Sequence, residues 1–257
     1  MKSKTDLFYL INAMSKSEKR YFTVDVQKSN QKGSRYLDLF HTITGMEAYD
    51  EKALKSKFGS KLPHDKRYLY DAILRSMRDY RSKNSYSAQI REMILDAKYL
   101  FERELYEQCA TRLENAKEMA IELDEQTALL EILKEERRLL LDLRKPHFEK
   151  KLKEYSSESE SVVAKIKEEL LYQNLYETLM ADVVKYLELK DEKDRIELKT
   201  KFEDILQSTP PVSNRALRRF SQCRALYHQL LGDYENVFNY YSKVVEWWEN
   251  NPKYREE

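Results

Sequence analysis

Hydrophobic residues from Ile90 onward return every three or four positions. Ile90, Met93, Ile94, Ala97, Leu100 and Phe101 make one apolar stripe, with Arg91, Glu92, Lys98 and Glu102 on other faces, as an amphipathic helix requires. A second stripe, Tyr106, Cys109, Leu113, Ala116 and Ala120, follows after almost no linker and predicts an antiparallel helical hairpin. Leu129, Leu130, Ile132, Leu133, Leu139 and Leu140 predict a third helix ending near Pro146. Val163, Ile166, Leu170, Leu175, Leu179 and Val183 predict a long fourth helix that begins after a serine-rich loop, Ser156 to Ser161. That loop, over residues 155–161, is the expected internal hinge. A shorter helix with Phe202, Ile205 and Leu206 stops at Thr209-Pro210-Pro211, and Ser213 or Asn214 caps the next, through Ala216, Phe220, Cys223 and Leu226.

Residues before Ile90 have shorter periods. Ser15-Lys16-Ser17-Glu18 is a capping-box pattern that starts a helix, although Tyr21 to Val26 also alternates as a short strand would; the capping box favours helix. Tyr36, Leu37, Phe40 and Ile43 predict a segment ending near Gly45, and Ala53, Leu54 and Phe58 another ending near Gly59. Leu62-Pro63-His64-Asp65 opens a helix whose stripe is Leu69, Ala72, Ile73, Met77 and Tyr80.

The closing segment carries a repeat signature. Leu230-Leu231-Gly232-Asp233-Tyr234 gives a glycine turn and an aromatic that opens a helix, followed by Val237, Tyr241 and Val244. Placing Tyr106 on Tyr234 aligns Cys109 with Val237, Leu113 with Tyr241 and Ala116 with Val244, and sets Ala97 on Ala225 in the preceding helix. Small side chains there let two helices cross closely. The pattern resembles the tetratricopeptide repeat over residues 89–257, in an irregular form: Met93 and Ser221 stand where that repeat has a large aromatic, and Ile121 and Glu249 where it has proline. The expected fold is all-α, a small helical module at residues 1–85 followed by an irregular solenoid of tetratricopeptide-like hairpins at 86–257. In that family the first helix of each hairpin lines a concave groove, which implies Arg91, Lys98 and Phe101 in one unit and Arg219, Gln222 and Gln229 in another as contacts for a partner peptide or helix.

Composition narrows the alternatives. Four glycines and five prolines in 257 residues are too few for the turns of an all-β domain or a nucleotide-binding α/β fold. Residues 1–88 hold 18 Lys/Arg against 10 Asp/Glu, a net of +8, and residues 89–257 hold 28 against 35, a net of −7. The basic residues Lys16, Lys19, Arg20, Lys66, Arg67, Arg75, Arg78 and Arg81, interleaved with tyrosines, suit either phosphate contacts or docking onto an acidic surface. Cys109 and Cys223 lie in helical patterns without CxxC spacing and fit reduced thiols in a cytoplasmic setting, and no apolar run approaches the length of a membrane span.

No catalytic motif emerges. His64-Asp65 has the residue types of a metal-ligand doublet, but His41, His147 and His228 are scattered singly, and Asp191, Asp194 and Glu197 lie on one charged helical run. The expectation is a non-enzymatic interaction scaffold without cofactor or metal. The alternative is a regulator whose basic module contacts nucleic acid. Val244, Val245, Trp247 and Trp248 precede only nine residues, too few for a capping helix, so the expectation is either that they form an interface, with a homodimer as one form of it, or that the natural chain continues.

Overall fold

The computed structural model describes residues 5–28, 35–82, 85–143 and 148–256. Twelve α-helices and two short 3-10 turns account for its regular structure, with no strand among the described residues. Pro146 and His147 lie outside the described residues. The chain divides into two units, Met1–Ser85 and Tyr86–Glu257.

The first unit holds α1 (Asp6–Ala13), α2 (Lys16–Lys28), α3 (Arg35–Thr44), α4 (Glu51–Phe58) and α5 (Leu62–Ser82). The capping box forms as read: the Ser15 N–H donates to Glu18 at 2.7 Å and the Glu18 N–H to Ser15 Oγ at 3.2 Å. These two bonds satisfy orphan donors of the first turn, and Tyr21 to Val26 is accordingly helix rather than strand. Asp50 caps α4 by accepting from the N–H groups of Lys52 and Ala53, and Gly59, at φ 68°, closes it. Leu7, Ile11, Phe22, Phe40, Leu54 and Ile73 are buried in the common core. α5 packs against each of the other four helices, as its long apolar stripe demands.

The second unit holds α6 (Tyr86–Glu102), α7 (Tyr106–Glu122), α8 (Gln126–Leu143), α9 (Phe148–Tyr186), α10 (Glu192–Gln207), α11 (Asn214–Leu231) and α12 (Tyr234–Asn250). Neighbours in sequence pack as antiparallel pairs from α6 to α9 and from α10 to α12, and α9 also packs along α11. Three turns close identically. Glu104 and Leu105 donate to Phe101 and Leu100, Asp124 and Glu125 to Ile121 and Ala120, and Gly232 and Asp233 to Gln229 and His228. Each is the paired closure that needs one left-handed residue, filled here by Glu104 at φ 60°, Asp124 at 51° and Gly232 at 74°. Only the last uses glycine, which explains how few glycines suffice.

One sequence expectation is overturned. Residues 155–161 form no hinge: they lie inside α9, a single helix of 39 residues and about 58 Å. Tyr155 and Val162 pack into the core shared with α6 to α8, and Ser159 Oγ returns to the Tyr155 carbonyl at 2.6 Å. Packing on both sides of the serines overrides their indifferent helix propensity. The buried stripe of α9 keeps the expected Leu175, Leu179 and Val183 but runs through Val162 and Tyr172 rather than Val163 and Leu170, and Leu170 is exposed. Its first half completes one core with α6 to α8. Its second half builds another with Phe202, Phe220, Cys223 and Leu226.

Candidate functional site

The residues expected to line a groove are engaged in different places. Phe101 is buried, with the Arg138 guanidinium 4.0 Å over its ring, and Lys98 is paired with Glu131 and Glu135, so both serve the contact of α6 with α8. Arg91 is exposed beside Glu125 and Glu131. Arg219 lies 4.3 Å over Tyr176 of α9 and donates to Gln222 at 2.8 Å, and Gln229 is half-buried in the last turn of α11. Four of the six are thus tied to neighbouring side chains.

The basic residues of the first unit separate into two groups. Lys66 is 3% exposed, donates to Glu51 at 2.9 Å and to the Tyr49 hydroxyl, and so is withdrawn from any surface patch. Burial and the same Glu51 push the Tyr49 hydroxyl well above its usual range. Asp65 is equally buried and accepts from Arg35 at 2.7 Å. A lysine one turn into a helix whose first residue, Leu62, is buried must share that residue's inward face. Arg67, Arg75, Arg78 and Arg81 of α5 are exposed, as are Lys16 and Arg20 of α2, with Lys19 half-buried, and none is ion-paired among the described residues. Tyr21 and Tyr80, 5.0 Å apart, join the two helices that carry them.

At the other end of the chain, the expected interface is reassigned by helical phase. Val244 and Trp247 face inward. The Trp247 indole N–H donates to the Asn214 carbonyl at 3.0 Å and to its side-chain oxygen at 2.9 Å, Tyr254 of the closing 3-10 turn packs 5.0 Å from its ring, and Arg218 lies over both tryptophans. Tyr254 and Asn251, after the end of α12, therefore both engage Trp247. The open face of α12 is a different row, Tyr234, Phe238, Tyr241 and Val245, spaced by four, three and four and exposed to 58%, 76%, 38% and 56%.

Behind that row, α10, α11 and α12 enclose a polar cleft of about 380 Å³. The Schellman turn at Gly232 brings His228 of α11 against Asp233, the cap of α12, with Nδ1 and Oδ2 3.0 Å apart. Asn236, through its side chain and its backbone N–H, holds the Asp233 carboxyl below the usual range, with His228 adding to the effect. Tyr240 stacks on the His228 ring with centroids 5.4 Å apart. Arg224 donates Nε–H to the Leu206 carbonyl at 2.6 Å and lies 4.2 Å over Phe220. Sequence reasoning passed over these residues because His228 was treated as solitary. A histidine four residues before the glycine of a tight turn and an aspartate directly after it was the available signal.

A second polar cluster ties the unit together. Ser213, fully buried at the start of α11, donates to Glu169 at 2.6 Å or to Asp124 at 3.2 Å, and Glu168 accepts the Val212 and Ser213 N–H groups. Arg215 pairs with Glu125 across 90 positions of sequence. Burial, reinforced by Asp124, raises the Glu169 carboxyl despite the Ser213 hydrogen bond and Arg215. No three acidic, histidine or cysteine side chains among the described residues are grouped to hold a metal. Burial pushes the Cys223 thiol up to about 12 and also raises Cys109, so neither is a ready nucleophile. No described helix is long and apolar enough to cross a membrane. Compared with protein-family models, curated proteins and solved structures, the chain finds no match in any of the three.

Proposed function

We propose that the second unit is a non-enzymatic interaction scaffold of tetratricopeptide-like hairpins whose partner site is the outer face of α12. The observation that carries this reading is an internal correspondence. Glu104 and Gly232 hold equivalent places in identical turns, so α7 and α12 align residue for residue from Tyr106 and Tyr234. Buried Ala97 matches buried Ala225, and buried Ala116 matches Val244. On the same alignment the exposed Phe238, Tyr241 and Val245 match Ala110, Leu113 and Lys117. Of those α7 positions Leu113 is buried and Lys117 half-buried, with Lys117 paired to Glu136 of α8 at 3.1 Å and Glu158 of α9 at 2.9 Å, while Ala110 borders Glu136 and Leu139 of α8 but stays exposed. The α12 row therefore occupies the face on which α7 receives its next helix, and its natural occupant is a helix from a partner, packed as α8 packs on α7. Substituting Phe238→Glu and Val245→Glu should lower partner capture by about tenfold or more with helicity unchanged. Undiminished capture would reject the face. Light scattering of the purified chain separates a partner protein from a second copy, because a homodimer would persist without any partner and dissociate on the same substitutions.

A nucleic-acid reading of the first unit is favoured by one observation, the exposed cations Arg67, Arg75, Arg78 and Arg81 with Lys16 and Arg20, none of them ion-paired among the described residues. Binding to a fluorescent oligonucleotide should then fall steeply with added salt, and no binding at low salt would discard it.

A further inference from the structure

The cleft between α10, α11 and α12 is independent of the α12 outer row, since Asn236 and Tyr240 line it from the opposite side of that helix. Its volume of about 380 Å³ lies within the range of small-molecule sites, roughly 300–1,000 Å³. Its charged groups are held in place but incompletely used. Arg224 is fixed by the Leu206 carbonyl and by the ring of Phe220, with Tyr240 5.4 Å away, yet it has no carboxylate partner among the described residues. Only its Nε–H is spent, so the two terminal nitrogens remain for a planar oxyanion, which a guanidinium binds through two parallel hydrogen bonds. Glu203, one turn earlier on α10 than Leu206, also lines the cleft, accepts from the Gln207 side chain at 2.9 Å and has no cationic partner among the described residues. His228 and Tyr240 supply parallel rings, with planes 24° apart, and Leu206, Tyr227 and Leu231 add apolar wall.

We propose that this cleft binds a small zwitterion of the amino-acid type, its carboxylate on Arg224, its ammonium group on Glu203 and its side chain against the His228–Tyr240 rings. Charge balance selects this class over a phosphate. Arg224 and Lys199 line the cleft together with Glu203 and Asp233. A dianion would therefore add unbalanced negative charge to a partly desolvated space, whereas a ligand with one charge of each sign leaves the cleft neutral. His228, oriented by Asp233, acts as shelf and hydrogen-bonding wall, and no serine, threonine or cysteine stands beside it in the lining.

Calorimetric titration of the full chain with L-phenylalanine, 3-phenylpropionate and phenethylamine tests the assignment, since the last two each lack one of the charged groups. L-phenylalanine should bind, and each half-charged analogue should bind about tenfold or more weakly. Glu203→Gln should erase the advantage of L-phenylalanine over 3-phenylpropionate, and Arg224→Gln should abolish binding of both. Glu203→Gln keeps its bond from Gln207 and leaves the helix contacts intact, so it remains decisive if Arg224→Gln fails to fold. The proposal is overturned if L-phenylalanine gives no heat at about 10 mM, if the analogues bind equally well, or if Glu203→Gln leaves the preference unchanged.

Discussion

At the residue scale, the three turns of one design differ in how well their left-handed position is filled. A residue with a Cβ at positive φ costs about 1–2 kcal/mol relative to glycine. Glu104 bears that cost with an exposed side chain that no described contact uses. Glu104→Gly should therefore stabilise by about 0.5–1 kcal/mol in urea unfolding, after the added freedom of the unfolded chain is deducted. Gly232→Ala should destabilise by about 1–2 kcal/mol, and its new Cβ would also meet the Glu188 carboxylate at 2.9 Å. Asp124 is the exception, because its carboxylate serves Ser213 and the Arg215 N–H and outweighs its backbone cost. The same cluster sets a pH dependence. Glu169 has a folded-state pKa above its unfolded one, so its charge opposes folding near neutrality and that opposition fades as pH falls through the folded value. Glu169→Gln, which keeps Oε1 for Ser213, should raise the melting temperature at neutral pH by an amount that shrinks on acidification. A difference that grows instead would contradict this balance.

At the element scale, what the sequence made legible followed from short-range rules. Capping at Ser15 and Ser213 and the stops at Gly45, Gly59 and Gly232 act within one turn, and each helix they bound is present. The failures occurred where distant packing decides. The Ser156–Ser161 run breaks no local rule as helix, and only the cores on either side of it determine that α9 continues. Ser159→Pro tests this directly: inside a continuous helix it should cost about 3 kcal/mol or more, and in a hinge it would cost little. The cleft was illegible for a related reason. Arg224, His228 and Asp233 lie along α11 and its closing turn, but Glu203 and Leu206 reach them from α10 and Tyr240 from α12, and no spacing rule for metal or nucleophile sites describes that meeting. Lys66 was misplaced on the surface because a charged residue was read by type rather than by phase.

At the scale of the whole molecule, α7 and α12 are built alike but serve different neighbours. α7 lies against α8, whereas on the corresponding face of α12 Phe238, Tyr241 and Val245 stay exposed beside Tyr234, whose hydroxyl donates to Glu188 at 2.9 Å. The proposed function rests on that contrast. Fifty-eight per cent exposure of a tyrosine or 76% of a phenylalanine is unremarkable singly, but four such residues in one row on one helix make a contiguous patch. Site-specific photo-cross-linking tests it most directly, with a benzophenone amino acid placed at Phe238 and, as a control, at Lys150, whose side chain is 80% exposed on α9. A discrete protein adduct from position 238, absent from position 150 and competed by unlabelled chain, is the result expected. Equal adducts from both positions, or none from position 238, would show that the open face of α12 is not a partner site.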